Sequence, residues 1–101
     1  LDEAKAWREW LLRAVAGKAS QLHIMYGVAG ERRLPELTLP WLPGYENSAP
    51  VRIGNGAHDQ FQLDVFGEVL GALHLARECG LHEAWNDWRV ERELMARLEE
   101  V

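Results

Sequence analysis

This 101-residue sequence contains a single cysteine, Cys79, and therefore cannot form an internal disulfide. Charged residues interrupt every apolar stretch well before the roughly 18 residues that a membrane-spanning helix needs, and the first residues do not resemble a signal peptide. Basic residues are outnumbered, with a net charge of -5 and no basic cluster larger than Arg32 and Arg33. We therefore expect neither a membrane nor a nucleic acid as partner. The lone thiol is expected to be packed among apolar side chains, and it favours a reducing, cytoplasmic compartment.

The common signatures of metal and cofactor sites are also missing. The sequence has no glycine-rich phosphate loop, no Gly-x-Ser-x-Gly elbow and no pair of cysteines or histidines at metal-ligand spacing. Its four histidines, none of them four residues from another on a predicted helix, are His23, His58, His74 and His82. No zinc site and no cofactor are expected.

What the sequence does contain is typical of a folded helical protein, with 48% hydrophobic and 27% charged residues. Apolar residues recur at helical spacing over residues 2–16, and Asp2 and Gly17 suit the start and the stop of this helix. Two further helices are predicted over residues 60–79 and 82–101. The predicted fold class is therefore all-α, with three helices and a long ordered loop.

The loop, residues 18–58, holds all four prolines and five of the nine glycines, which excludes a long helix. Two alternating pieces, residues 22–26 and 51–53, could pair as a short two-stranded ribbon. The segment also contains Trp41 and Tyr45, and it is too hydrophobic to be disordered. A long ordered loop of this kind is usually functional.

The middle helix differs from the outer two in its pattern. Polar side chains are spread around most of the helix at residues 60–79, whereas the helices at residues 2–16 and 82–101 are amphipathic. The middle helix is therefore an inner-type helix that needs cover on every side, and the other two are outer-type helices. Three helices cannot supply that cover, so we expect it to come from further chain or from a second copy.

Aromatic and hydrogen-bonding side chains in and after the loop have the composition of a sugar site. The aromatic candidates are Tyr26, Trp41 and Tyr45, and the candidates for binding hydroxyl groups are Arg52, Asn55, His58, Gln62 and Asp64. Several also have a structural interpretation: Trp41 and Tyr45 can pin the loop to the helices, Gln62 can complete a capping box with Asp59, and Arg52 can pair with a nearby acid. Asp64 favours function most, because an acid in the first turn of a buried helix needs partners. No pair of carboxyl groups is singled out as a catalytic acid and base.

Several motifs in fixed order resemble the bacterial branch of glycoside hydrolase family 15, the glucoamylase-like and trehalase-like enzymes. In chain order they are IMYGVAG at residues 24–30, LPE at 34–36, WLPGY at 41–45, PVRIGN at 50–55 and QLDVFGE at 62–68. The similarity covers essentially the whole chain. The sequence departs from the family in having Phe66 where tyrosine is usual, Gly71 where a larger polar residue is expected, and His58 where fungal members carry an aromatic platform.

The resemblance implies a segment of an (α/α)6 barrel from an inverting exo-acting enzyme that cleaves an α-linked glucose saccharide, with trehalose the first candidate and maltooligosaccharide or dextran ends behind it. It implies that Gln62 and Asp64 orient substrate, that Arg52 and Asn55 lead into that pair, and that Tyr26 shapes the pocket wall. The family's general acid and its Trp-x-Arg-Asp-like sugar-binding motif are not in this sequence. Alone, the 101 residues are expected to be inactive.

A non-catalytic alternative also fits the helical pattern. The three helices could form a module that buries its exposed faces against a second copy of itself. Either interpretation predicts that the isolated chain self-associates.

Overall fold

The computed structural model of this protein describes residues 1–81 and 85–101, and for residues 85–87 only the backbone. Within these described residues the α-helices are α1 (Asp2–Val15), α2 (Asp64–Glu78) and α3 (Trp85–Glu100). Two strands, β1 (Leu37–Thr38) and β2 (Arg52–Ile53), and two short 3-10 turns, Ala19–Gln21 and Tyr45–Asn47, lie in the connection between α1 and α2. The chain is therefore mostly helical, with one small sheet. The predicted start of the last helix, residues 82–84, lies outside the described residues.

Helix α1 is amphipathic, with Leu11, Ala14 and Val15 buried on one face. It ends one residue before the predicted boundary, because Ala16 is already extended (ψ 139°). Gly17 follows with a φ of 122°, a conformation that favours glycine. The predicted stop at this glycine therefore matches the observed end of the helix.

Helix α2 begins at Asp64, four residues later than predicted. The residues before it form a separate turn, in which the Gln60 amide donates to the carbonyl oxygen of Ala57 at 3.0 Å. The Leu63 cap carries no side-chain hydrogen bond, so the predicted capping box of Asp59 and Gln62 does not form. Asp59 lies within that turn, and the Gln62 side chain bonds to Gln60 Oε1 instead.

One buried cluster joins the three helices and the start of the loop. Its members are Leu11, Val15, Leu22, Phe66, Val69, Leu73, Val90 and Leu94. Phe66 and Leu94 are its most buried large side chains, at 1% and 2% exposure. Only one face of α2 contributes to this cluster, and Glu68, Gly71 and Leu75 on its other faces are exposed.

The ribbon forms, but with a different partner strand from the predicted one. Leu37–Thr38 pairs antiparallel with Arg52–Ile53, in the register Leu37↔Ile53 and Thr38↔Arg52. The prediction that residues 22–26 form the second strand is wrong. Leu22 is buried in the helical cluster, and the His23 amide donates to the Tyr26 hydroxyl at 3.0 Å, so this segment folds locally against the helices.

The prediction of a packed thiol is also wrong, because Cys79 is exposed. It lies directly after the last turn of α2, beside an open groove between α1 and α2. The groove has a volume of about 430 Å³ and is lined mainly by apolar side chains, among them Trp7, Leu75 and Leu81. Cys79 is itself one of the residues that line this groove.

The molecule is flat, with principal extents of 48 × 35 × 18 Å. Its radius of gyration of 16.7 Å exceeds the roughly 13 Å of a compact domain of this length. Its accessible surface of 7383 Å² likewise exceeds the roughly 5,800 Å² typical of a folded monomer of 11.5 kDa. No helix in the part of the chain that the structure describes is long and apolar enough to cross a membrane.

Candidate functional site

The loop between α1 and α2 is attached to the helices at three points. The Arg32 guanidinium donates to the carbonyl oxygens of Ala14 (3.1 Å) and Ala16 (2.6 Å), at the C-terminal end of α1. The Trp10 indole N–H donates to the Val28 carbonyl oxygen at 2.7 Å. These bonds, with the burial of Leu22, hold the first half of the loop against α1. The expectation of an ordered loop is therefore consistent with its contacts.

Arg52 lies on β2 and is paired with a carboxylate across the ribbon. Its Nε atom is 3.4 Å from Glu36 Oε1, and both side chains are about half exposed. The other carboxylate oxygen of Glu36 accepts from the Gly56 amide, also at 3.4 Å. Among the described contacts the pair uses only Nε of the guanidinium.

Asn55 closes the turn that follows β2. Its side-chain Oδ1 accepts from the Ala57 amide at 2.9 Å, an arrangement typical of an Asx turn. Its own amide donates to the Leu34 carbonyl oxygen at 2.9 Å, and its carbonyl oxygen accepts from the His58 amide at 3.1 Å. The side-chain oxygen of Asn55 therefore shapes the loop.

Tyr26 is half-buried and packs against the helical cluster. Its hydroxyl accepts from the His23 amide, and its ring lies 5.9 Å from the His23 ring. The His23 Nδ1 atom is in turn 3.0 Å from the His58 carbonyl oxygen, and His58 Nδ1 is 3.0 Å from the Asn55 carbonyl oxygen. Tyr26 and Asn55 are thus linked through two histidines to which the sequence assigned no joint role.

Gln62 and Asp64 lie outside this network. The Gln62 side-chain amide donates to Gln60 Oε1 at 3.0 Å, and both Gln62 and Asp64 are exposed. Asp64 is exposed in this chain because the faces of α2 around it are uncovered, so its need for partners in a covered helix is not tested here. As the first residue of α2, its carboxylate is still stabilised by the helix dipole. The orienting roles of Gln62 and Asp64 stay predictions.

Trp41 and Tyr45, two of the three aromatic candidates, do not pin the loop to the helices. Trp41 and Tyr45 are 72% and 85% exposed. Exposed rings of this kind offer flat apolar faces of the sort on which sugar rings stack. Within residues 1–81 and 85–101, no group of three or more histidine, cysteine or acidic side chains could hold a metal ion.

Sequence reasoning missed Glu36, His23 and Arg32 as parts of this arrangement. The sequence allows Arg52 to pair with a nearby acid, and the structure identifies that acid as Glu36, which lies one residue before β1 and diagonally across the ribbon from Arg52. Opposite charges on such a diagonal are within reach of long side chains. The correct pairing of the strands would have identified Glu36, and that pairing is a long-range contact that the local pattern does not contain.

Comparison with known proteins adds to this geometry. The model of the family described as "Glycosyl hydrolases family 15" matches residues 1–100. The chain is 52% identical over 59 residues to a trehalase of Mycolicibacterium smegmatis, which covers 58% of the chain and 9% of that protein. It is 45% identical over 69 residues to a trehalase of Mycobacterium tuberculosis, covering 68% of the chain and 10% of that protein.

A more distant relative covers more of the chain. A trehalase of Thermoplasma acidophilum is 32% identical over 85 residues, covering 84% of the chain and 14% of that protein. The chain thus spans about a tenth of the length of the curated relatives that it matches. No solved structure matches.

Proposed function

The chain belongs to glycosyl hydrolases family 15, and from that membership we propose that it is part of a longer enzyme that hydrolyses an α-linked glucose saccharide. Trehalose is the first candidate substrate, ahead of maltooligosaccharide and dextran ends. The observation that carries this choice is the 52% identity to a trehalase over 59 residues. Six curated relatives match this chain, and all six are trehalases.

The helices are proposed to be one segment of an (α/α)6 barrel, with α2 in the inner ring and α1 and α3 in the outer ring. Three observations support this placement: the flat shape, the excess of accessible surface and the exposed faces of α2. Neighbouring inner helices would cover Glu68 and Leu75, and an outer neighbour would cover the apolar groove beside Trp7. A single amphipathic layer of this kind is stable once both sides are covered.

The loop is proposed to form part of the wall of a glucose-sized pocket. Arg52 and Asn55 offer hydrogen-bond donors to sugar hydroxyl groups, Tyr26 supports the wall, and Gln62 and Asp64 orient the substrate at the start of α2. An inverting hydrolase needs an acid and a base roughly 6.5 to 9.5 Å apart. The proposal assigns both to parts of the enzyme outside this chain, so the 101 residues alone are inactive.

The test is trehalose hydrolysis by the full-length protein, followed by proton NMR. An inverting enzyme releases one β-glucose and one α-glucose per trehalose before mutarotation. The variant Asp64→Asn should lower kcat/KM by more than about threefold, because it removes an orienting charge that binds the transition state. Asp59→Asn is the matched control, since Asp59 is an exposed acid just before the helix. Glucose release from maltose but not trehalose would overturn the substrate, and equal effects of the two variants would overturn the role of Asp64.

A second candidate is a non-catalytic module that self-associates. The apolar groove between α1 and α2 favours it, because a second copy could cover Leu75 and Leu81. The two candidates differ in the intact protein. A module gives a discrete oligomer in light scattering with no hydrolysis of any α-glucoside, whereas the enzyme cleaves its substrate whatever its oligomeric state.

A further inference from the structure

One carboxylate joins the two sides of the ribbon at the place where the candidate hydroxyl-binding residues lie. Glu36 Oε1 is 3.4 Å from Arg52 Nε, and Glu36 Oε2 is 3.4 Å from the Gly56 amide nitrogen. The first contact holds the side chain of Arg52, and the second holds the backbone of the turn that carries Asn55. Glu36 therefore contacts both halves of the proposed sugar-binding edge without itself being one of its predicted members.

The backbone on the Glu36 side of the ribbon packs directly against the turn that carries Asn55. The Asn55 amide donates to the Leu34 carbonyl oxygen at 2.9 Å, directly beside the Glu36 contacts. Gly54 has a φ of 72°, and a Cβ atom added there would overlap the carbonyl oxygen of Pro35. The segment 34–36 thus lies directly against the turn at residues 54–56, and only glycine allows the approach.

The charge arrangement favours a positioning role over a purely stabilising one. An ion pair as exposed as Glu36 and Arg52 contributes little to the stability of a fold. A guanidinium held through Nε nevertheless keeps its fork of terminal N–H groups pointing in one direction, which suits recognition of paired hydroxyl oxygens. Loss of Glu36 should therefore change the orientation of the Arg52 guanidinium while having little effect on the stability of the protein.

We propose that Glu36 is a positioning residue that holds Arg52 and the Asn55 turn in the orientation required for binding an α-linked glucose unit. This inference rests on the proposed function, because it takes the edge formed by Arg52 and Asn55 as part of the sugar pocket. Glu36 itself does not touch the substrate. It acts through the guanidinium of Arg52 and through the backbone of Gly56.

The first measurement is hydrogen exchange in the full-length protein, which needs no activity. Glu36→Ala should raise the exchange rate of the Gly56 amide about fivefold, since that amide loses its acceptor. Glu46→Ala is the matched control, because Glu46 is an exposed acid on the same loop and its side chain has no contact in the part of the chain described here. Equal exchange rates at Gly56 in the two variants would show that Glu36 does not hold the turn that carries Asn55.

The second measurement is a double-mutant cycle on the substrate that the wild type cleaves, whichever α-glucoside that is. Glu36→Ala should lower kcat/KM about tenfold, chiefly through KM, because a misplacement of about 1 Å has effects up to a hundredfold. The double variant Glu36→Ala, Arg52→Ala should be no worse than Arg52→Ala alone. Glu36→Gln keeps an acceptor for Gly56 but loses the charge, and it should recover part of the loss.

The outcomes separate the two proposals. If the wild type cleaves α-glucosides and the losses of Glu36 and Arg52 simply add, Glu36 does not act through Arg52 and the positioning role is wrong. A melting temperature that falls in proportion to activity would likewise assign Glu36 to stability. If the wild type cleaves no α-glucoside, the proposed function fails and the sugar-positioning role fails with it. The exchange result then still decides whether Glu36 holds the turn.

Discussion

Replacing Arg32 is the sharpest test of how the loop is attached to the helices. One Nη atom of Arg32 donates to two carbonyl oxygens at the C-terminal end of α1, those of Ala14 and Ala16. A cation at this end of a helix also interacts favourably with the helix dipole. A hydrogen bond from a charged donor contributes about 1.5 to 3 kcal/mol to stability. Because these two bonds share one nitrogen and are partly exposed, we expect their combined contribution to lie near the lower end of that range.

We expect Arg32→Ala to lower the free energy of local opening of the loop by about 2 kcal/mol, which raises the exchange rate of the amides it protects about 30-fold. The reporters are the Gly27 and Gly30 amides, which bond within the turn of residues 27–31, and this turn contains the attachment at Val28 and directly precedes Arg32. Their exchange is measured by mass spectrometry on the full-length protein. Arg32→Lys should restore less than half of the protection, because an ammonium group cannot reproduce the geometry of the guanidinium.

Arg33→Ala is the control for this experiment. Arg33 is the neighbouring residue, carries the same charge and is exposed, and the contacts described here give it no partner. Its loss changes the net charge of the loop equally but removes no bond to α1. If Arg32→Ala and Arg33→Ala raise the exchange of Gly27 and Gly30 equally, the attachment of the loop through Arg32 is refuted.

Two further predictions use matched pairs within the chain. Gly54→Ala should disrupt the ribbon and the adjoining turn, because its φ of 72° and the nearby Pro35 carbonyl exclude a Cβ atom. Gly67→Ala, which lies in open space on α2 of this chain, should instead stabilise the helix by up to about 1 kcal/mol, and the melting temperatures of the two variants of the 101-residue chain distinguish them. Phe66→Ala should cost about 3 to 5 kcal/mol because it leaves a cavity in the buried cluster. Phe61→Ala, at a ring that is 53% exposed, should cost less than half as much, and comparable losses in urea titrations would contradict the assignment of the core.

The helices could be predicted because their signals are local. The apolar spacing of α1 lies within one segment of sequence, and Gly17 and Gly80 mark the ends of α1 and α2 with positive φ angles of 122° and 75°. The start of α2 was placed too early because the spacing of Asp59 and Gln62 satisfies the capping-box pattern. Asp59 instead belongs to a turn with its own hydrogen bond, from Gln60 to Ala57.

The contacts of the candidate site residues could not be predicted from the local sequence pattern. Motif order placed Arg52, Asn55, Gln62 and Asp64 in one region, but the contacts that orient them come from residues far along the chain. Arg52 meets Glu36 sixteen residues earlier, and His58 meets His23 thirty-five residues earlier. Such contacts depend on which strands pair and on which loop segment reaches the helices, and neither is encoded in local periodicity.

The exposed thiol beside the apolar groove makes Cys79 a built-in chemical reporter for this chain. It is the only cysteine of the sequence, and its neighbours in the groove include Trp7 and Leu81. An uncovered thiol reacts with a maleimide at a rate set by access, whereas one beneath a packed helix reacts only when that helix opens. The labelling rate of this single atom, in the isolated chain and in the longer protein, therefore measures directly when the groove is occupied.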